Sequence, residues 1–232
     1  MARFTSAYSS FCSSLDEVSL LRSRALRLEV SDPVRNGNEI DALCRGSVVL
    51  LSSHLEAYIK ELGELLILRL FSKCVDRKKL GPVFFYHISK EHIERIKDAS
   101  DPGALAAALF EFIDADFDYW SQMGPFPVEV DAERFNRGFS NPTFKKIKKY
   151  FNRFGFQEYE RSVAQSLRSD FQPYVNMVNH LVETRNAIAH GDPTARKTPK
   201  EIGDMRNMIQ NFSRCTDIAF ADWCREVFCA IR

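Results

Sequence analysis

Apolar residues recur at intervals of three and four along almost the whole chain, and the strict alternation typical of strands is nearly absent. This pattern predicts an all-α protein. A first helix is expected over residues 11–30, ending before Pro33, because proline disfavours helix in the residue that precedes it. The longest periodic stretch predicts a second helix over residues 39–75.

Proline and glycine divide the middle of the chain into shorter elements. Asp101-Pro102 and Asn141-Pro142 each combine an N-capping residue with the proline favoured in a first helical turn. Residues 123–141 form the longest irregular stretch and the best candidate for an insertion or a domain seam. These signals predict four helices, over residues 89–97, 101–122, 141–155 and 157–168.

Two further helices are expected near the C-terminus. Pro173 opens a strongly periodic helix that reaches His190 and is closed by Gly191. The last helix is expected over residues 200–231. The whole chain, residues 1–232, is therefore interpreted as one helical domain, with a core at about 39–75 and 157–231 and an insertion at about 78–156.

Charge and cysteine content narrow the class of protein. The chain has 32 basic and 31 acidic side chains, so no global charge marks it as a polyanion binder or a membrane-surface protein. Residues 48–71 are long enough to span a bilayer but carry several charges, which favours an amphipathic helix and no membrane contact. Six cysteines without CxxC or zinc-binding spacing indicate free thiols and a cytoplasmic protein.

The segment PYVNMVNHLVETRNAIAHGD, residues 173–192, carries the most informative side chains. At about 100° per residue, Arg185 lies in the middle of the apolar stripe of this helix, where a guanidinium is costly unless it faces a carboxylate, a cleft or a partner. Asn186 and His190 lie one turn apart on the flank of that stripe. A cation, an amide and an imidazole can therefore converge on one rim.

These residues resemble the signature of a known superfamily. Arg185, Asn186 and His190 form an R-N-x-x-x-H motif, which is similar to the R-x(4–6)-H signature of HEPN ribonucleases. The position of the motif, at the end of a late helix, also resembles theirs. About 0.4 chance matches to R-x4-H are expected in this chain, and requiring asparagine in second position lowers the expectation to about 0.02.

A second segment, residues 45–62, resembles the long early helix of bacterial HEPN-like nucleases. It has an arginine, an apolar run and then a leucine-glutamate-alanine-tyrosine turn. Arg45 and Glu56 are eleven residues apart, which returns to within about 20° on a helix and places both on one face. Glu56 is thus a candidate to orient Arg185 or the imidazole of His190, and Arg45 a candidate to support the site.

The resemblance implies a HEPN-type helical bundle and cleavage of RNA by its own 2′-hydroxyl, leaving 2′,3′-cyclic phosphate and 5′-hydroxyl ends, with no metal ion or cofactor. His190 would transfer protons, Arg185 would hold the phosphate, and Asn186 would orient the histidine or the phosphate. It also implies a composite site in a homodimer, or in a heterodimer with another HEPN protein. A toxin or phage-defence effector with a cognate antitoxin or defence partner is the expected biological class.

A basic helix within residues 141–155 is a weaker candidate for RNA binding. Its cations would contact phosphates and its interleaved aromatic residues would stack on bases. A solvated helix face with aromatic side chains in the core is the alternative. The cations are Lys145, Lys146, Lys148, Lys149 and Arg153.

Other interpretations stay open at this point. Arg185 and His190 could be a buried, carboxylate-paired arginine and a helix-terminal histidine. The chain could be a non-catalytic HEPN module that binds RNA, a nucleotide or a protein, or an unrelated helical interaction protein. The acidic residues around Asp116 suggest a cation site, but their alternation with aromatic residues is interpreted as an ordinary amphipathic helix.

Overall fold

The computed structural model describes residues 4–120 and 124–232, and every regular element in these ranges is a helix. The predicted all-α fold is confirmed. Short 3₁₀ turns occupy Arg77–Lys79 and Arg168–Asp170. The α-helices of the described ranges are α1 (Ser6–Ser31), α2 (Gly37–Ser72), α3 (Pro82–Ile88), α4 (Lys90–Asp98), α5 (Pro102–Trp120), α6 (Ala132–Asn136), α7 (Phe144–Asn152), α8 (Tyr159–Leu167), α9 (Phe171–Ala189) and α10 (Pro199–Val227).

Four long helices form the bundle that supports the rest of the molecule. Helix α2 lies at its centre and packs against α1, α9 and α10. Its buried residues include Val48, Leu55 and Leu62, which are spaced by seven and therefore share one face. The Tyr58 hydroxyl donates a hydrogen bond of 2.8 Å to the Ser213 carbonyl of α10, so the only polar atom of this buried ring is satisfied.

Helix boundaries differ from the prediction where distant residues set them. Helix α1 begins at Ser6 rather than near residue 11, because Thr5 accepts a hydrogen bond from the Tyr8 amide and caps the helix. The Thr5 amide donates to the buried Asp217 carboxylate of α10 at 3.1 Å. A contact across 212 residues thus fixes the first turn of the chain.

Helix α7 begins after Thr143 and not at the predicted Asn141-Pro142 pair. Thr143 accepts a hydrogen bond from the Lys146 amide, as an N-cap residue does. Asn141 has a positive φ of 52°, so it lies outside the helix in a turn. The N-cap residue of α7 therefore lies two residues after the predicted one.

An aromatic cluster joins the middle of the chain to the bundle. Gly63 of α2 makes this packing possible, because a Cβ at this position would lie 2.1 Å from the Tyr150 hydroxyl oxygen. Phe135 and Phe154 pack against each other with ring centroids 4.4 Å apart, and Phe154 also contacts Phe220 of α10. The division into a core and an insertion at residues 78–156 stays a prediction.

Helix α5 does not have the ordinary amphipathic arrangement that the sequence suggested. Its fully buried residue is Asp116, whereas several of its apolar side chains are exposed. Asp116 accepts hydrogen bonds of 2.8 Å from Arg134 of α6 and from His92 of α4. These partners on other helices explain why an acidic side chain, and not an aromatic one, faces inward.

Candidate active site

The three motif residues lie at the C-terminal end of α9. The preceding turns of this helix are anchored in the core by Val178, Leu181 and Val182, which are at most 2% exposed. Towards the end of α9 the burial decreases, so Arg185 and Asn186 are half-buried and His190 is exposed. The motif therefore crosses from the core of the bundle to its surface.

The end of α9 has a defined geometry. His190 is the C-cap residue, and Gly191 follows with a φ of 78°. The Gly191 amide donates to the Ile188 carbonyl at 3.1 Å, and the Asp192 amide donates to the Ala187 carbonyl at 3.0 Å. This pair of bonds is a Schellman motif, in which a left-handed glycine closes the helix. The predicted closure of this helix by Gly191 is confirmed.

Arg45 of α2 holds this helix end from the neighbouring element. Its guanidinium donates to the carbonyl oxygens of Asp192 at 3.2 Å and of Ile188 at 3.5 Å. Carbonyl oxygens at a helix C-terminus lack partners within the helix and carry partial negative charge, so a cation stabilises them. Arg45 thus fixes the backbone on both sides of His190.

Arg185 lacks the carboxylate partner that a half-buried cation normally has. Its Nη1 donates to the Oδ1 atom of Asn186 at 3.2 Å. Among residues 4–120 and 124–232, no ion pair joins Arg185 to an acidic side chain. A partly desolvated guanidinium with uncompensated charge is receptive to an anion.

The loop after His190 is ordered by Asp192, the last residue of the segment 173–192. The Asp192 carboxylate accepts hydrogen bonds from the Thr194 hydroxyl at 2.7 Å and from the Thr194 amide at 2.8 Å. These hydrogen bonds lower the pKa of the Asp192 carboxyl group. Thr194 was not predicted, although the D-x-T spacing is the signal of such a turn.

Glu56 lies away from the motif, and the expectation that it orients Arg185 or His190 is not met by the contacts of the described residues. Its carboxylate binds Lys60 Nζ at 2.8 Å and the Asn141 amide at 2.9 Å. Eleven residues along α2 correspond to roughly 16 Å, so a shared face with Arg45 does not bring Glu56 to the same helix end. Its hydrogen bonds fix α2 to the start of the segment that leads into α7.

The basic helix α7 is partly a structural element. Lys145, Lys146 and Lys149 are exposed, whereas Lys148 forms an ion pair with Glu160. The alternative, with the aromatic side chains in the core, is confirmed, and stacking of these residues on bases is excluded, because they are at most 8% exposed. They are Phe144, Tyr150, Phe151 and Phe154.

Arg153 is also directed inward and not toward a polyanion. Its guanidinium donates to the Phe135 carbonyl and lies 5.2 Å from the centre of the Tyr150 ring. Burial lowers the pKa of this guanidinium. Contact between RNA and the exposed lysines of α7 stays a prediction.

The described residues contain no group of three or more histidine, cysteine, aspartate or glutamate side chains that could hold a metal ion. Near Asp116, the Glu111 carboxylate has a cationic protein partner instead, since Arg95 binds it at 2.8 Å. Within the same ranges, no helix is long and apolar enough to cross a membrane.

Comparison with known families gives one match. The sequence model of the family described as RiboL-PSP-HEPN matches residues 14–222 and so includes most of α1, all helices from α2 to α9 and most of α10. The comparisons with curated proteins and with solved structures give no match. An all-helical fold together with this match indicates an RNA-related module. The chain therefore belongs to the RiboL-PSP-HEPN family of the HEPN superfamily.

Proposed function

We propose that this protein is a metal-independent endoribonuclease whose active centre contains Arg185, Asn186 and His190. The observation that carries the proposal is the environment of Arg185. Its guanidinium is half-buried, has no acidic partner in the described ranges, and is on the same helix end as the exposed His190. A purely structural arginine at this depth would be expected to bind a carboxylate.

The proposed reaction uses the 2′-hydroxyl of the RNA as the nucleophile. A base removes the 2′-hydroxyl proton, the 2′-oxygen bonds to phosphorus, and the bond from phosphorus to the 5′-oxygen breaks. An acid then protonates the departing oxygen, which leaves a 2′,3′-cyclic phosphate and a 5′-hydroxyl. His190 takes one of these proton-transfer roles, since histidine exchanges protons near neutral pH.

Arg185 and Asn186 act on the phosphate. A guanidinium can donate two parallel hydrogen bonds to phosphate oxygens and stabilise the charge that grows in the transition state. Asn186 already accepts a hydrogen bond from Arg185 at 3.2 Å, which limits the rotation of the guanidinium. Arg45 is a positioning residue, because it holds the backbone carbonyls on both sides of His190.

The proposed site is shared by two copies of the motif. Attacking and departing oxygens lie on opposite sides of phosphorus in an in-line displacement, so one imidazole is poorly placed to serve as both base and acid. His190 is exposed, and a second motif facing it would supply the other group. A homodimer, or a heterodimer with another HEPN protein, would complete the site.

The proposed biological role is that of a toxin or phage-defence effector that cleaves RNA. A cognate antitoxin or defence partner would inhibit its activity. It is supported by the likeness of residues 45–62 and of the R-N-x-x-x-H motif to bacterial HEPN nucleases. The activity of the isolated protein is tested first, because the role depends on it.

The proposal is tested by incubating a mixed RNA pool with wild-type protein and with Arg185→Ala in the presence of EDTA. Wild-type protein should cleave, and Arg185→Ala should lower kcat by about 100-fold or more, the usual cost of removing a group that stabilises transition-state charge. Arg161→Ala is the matched control, since Arg161 is an exposed arginine of α8 with 75% side-chain exposure.

Activity that disappears in EDTA and returns with magnesium would contradict metal independence. Cleavage by Arg185→Ala at the wild-type rate would remove Arg185 from the active centre. Intact RNA with wild-type protein, together with RNA binding that Arg185→Ala abolishes, would favour the non-catalytic HEPN module.

A further inference from the structure

Helix α5 presents a continuous row of apolar side chains to solvent. At about 100° per residue, with Leu105 placed at zero, Phe110, Ile113 and Phe117 lie at about 80–140°, which is one face of the helix. We call this face the α5 stripe, and its residues with their exposed fractions are Phe110 (79%), Ile113 (55%) and Phe117 (71%).

The α5 stripe is large for an uncovered surface. If a fully exposed side chain of this size presents about 200 Å², the exposed fractions amount to roughly 400 Å² of apolar side chain. The largest apolar patch on a typical monomer is about 300–600 Å² and is often functional. Scattered exposed apolar residues would need no explanation, but a continuous stripe of this size indicates an interaction surface.

Contacts of residues outside the stripe attach α5 to the molecule. Asp116 is fully buried and binds Arg134 at 2.8 Å, and the Trp120 Nε1 atom donates to the Ser89 hydroxyl at 2.8 Å. These bonds lie on the inner side of the helix, at about 20° and 60° on the same scale. The helix is therefore held in place with its apolar side chains directed outward.

One edge of the stripe is acidic. Asp114, Asp118 and Glu111 follow it at about 180–240° around the helix. Glu111 binds Arg95, whereas no ion pair within the described ranges neutralises Asp114 or Asp118. In an antiparallel pairing of two copies about a two-fold axis, these acidic edges would meet and repel. The charge therefore disfavours a second copy of the chain as the occupant.

We propose that the α5 stripe is the docking site for an amphipathic helix of a different protein. That helix carries apolar side chains at i, i+3 or i+4 and i+7, flanked by lysine or arginine. Its apolar face covers the row from Phe110 to Phe117, and its cations face Asp114 and Asp118. Opposite charge at the rim speeds association and selects the orientation of the bound helix.

The docking site is far from the candidate active site and does not rest on the proposed function. Arg45 contacts the end of α9, whereas Glu64, which accepts a hydrogen bond from Asn136 of α6, lies nineteen residues further along α2. This separation corresponds to roughly 28 Å along the helix axis. Helix α5 binds the same α6 through Arg134, so a partner on the stripe leaves His190 uncovered.

The test uses full-length protein and synthetic helical peptides of about 18 residues, or five turns. One peptide has a leucine stripe flanked by lysine, a second has the same stripe flanked by glutamate, and a third has the composition of the first in scrambled order. Affinity is measured by fluorescence anisotropy. The lysine-flanked peptide should bind wild-type protein at least about tenfold more tightly than either of the others.

Two variants locate the binding on the stripe. Phe110→Ser combined with Phe117→Ser should weaken binding of the lysine-flanked peptide about tenfold or more, and Asp114→Asn combined with Asp118→Asn should weaken it chiefly at low salt. Leu20→Ser combined with Val34→Ser is the matched control, because these residues are 67% and 92% exposed elsewhere. Circular dichroism of each variant verifies that the fold is retained.

Several results would overturn the assignment. Equal binding of the scrambled peptide would mean charge attraction alone, and unchanged binding by the Phe110 and Phe117 variant would place the peptide elsewhere. Absence of binding would exclude this class of partner. Self-association in sedimentation that the same variant abolishes would show that a second copy covers the stripe.

Discussion

Gly191 determines the direction in which the chain leaves the motif. With φ at 78°, it occupies a conformation that costs an L-residue about 1 kcal/mol. A Cβ here would meet no atom within 4 Å, so the cost comes from the backbone alone. The R-N-x-x-x-H-G sequence therefore predicted both the motif and the way its helix ends.

Gly191→Ala should lower the free energy of unfolding by about 1 kcal/mol, because alanine is strained in the left-handed conformation. It should also reduce RNA cleavage, because this strain disturbs the Schellman hydrogen bonds next to His190. Urea denaturation and the cleavage assay measure both effects. Gly81→Ala is the control, since Gly81 also has open space but an ordinary φ of −78°. Equal effects of the two substitutions would contradict the role of the left-handed conformation.

Protonation of His87 is expected to make the stability of the protein depend on pH. Burial lowers the pKa of its imidazole to about 4, and the charges of Arg153 and Lys90 act in the same direction. The unfolded chain therefore binds this proton at a higher pH than the folded chain does. Stability from neutral His87 is complete above the ordinary pKa near 6.5 and is lost as the pH falls from 6.5 toward 4.

Replacement of His87 by glutamine should flatten this part of the stability profile. Urea denaturation of wild-type protein and His87→Gln is compared between pH 7 and pH 4.5, and the difference between the two isolates His87 from the carboxylates that titrate lower. The wild type should lose more stability than the variant over this range. Parallel profiles would mean that His87 accepts its proton equally well in both states.

At the scale of elements, local signals predicted the helices and missed contacts between them. The periodicity of α2 and α9 and the glycine after His190 belong to the local sequence. The start of α1 depends on Asp217, which is 212 residues from Thr5, so no window of sequence contains the cause. The buried position of Asp116 likewise depends on Arg134 and His92 in other helices.

The candidate site shows the same division. Because α2 is a continuous helix, Arg45 and Glu56 share one of its faces, as helical spacing predicted. That spacing carried no information on which residue of α2 would lie beside the end of α9. Arg45 contacts that end, and Glu56 binds Lys60 and Asn141 instead. Packing between helices decides this, and periodicity within one helix does not.

Substitution of Arg45 tests the contact between α2 and the end of α9. Arg45→Ala removes hydrogen bonds to the Ile188 and Asp192 carbonyls and should lower the free energy of unfolding by about 1 kcal/mol. It should reduce kcat while leaving KM for RNA nearly unchanged, because the backbone around His190 loses its fixed position. Arg45→Lys, which keeps one charged donor, should restore part of kcat.

A merely structural Arg45 would behave differently in the same assay. Its variants would then have the wild-type kcat under conditions where each remains folded. A rise in KM with unchanged kcat would instead assign Arg45 to substrate binding.

At the scale of the whole molecule, the two proposed functional surfaces lie toward opposite ends of α2. The motif lies where Arg45 meets α9, and the α5 stripe lies beyond α6. This separation allows the proposed dimer and the proposed helical partner to bind together. Neither surface could be recognised from composition, since the 32 basic and 31 acidic residues nearly balance.

A composite active site predicts that activity depends on protein concentration. Below the dissociation constant of the dimer, specific activity should rise with concentration, and it should level off once the dimer is saturated. Sedimentation at the same concentrations measures the dimer directly. Constant specific activity of a protein that sediments as a monomer would contradict the two-motif site.

His190 provides the most direct test of the central claim. RNA incubated in EDTA with wild-type protein, His190→Ala or His180→Ala is examined for the chemistry of its new ends, His180 being an exposed histidine of the same helix outside the motif. The account predicts 2′,3′-cyclic phosphate and 5′-hydroxyl ends with wild type and His180→Ala, and intact RNA with His190→Ala. The same ends produced by folded His190→Ala at the wild-type rate would contradict it.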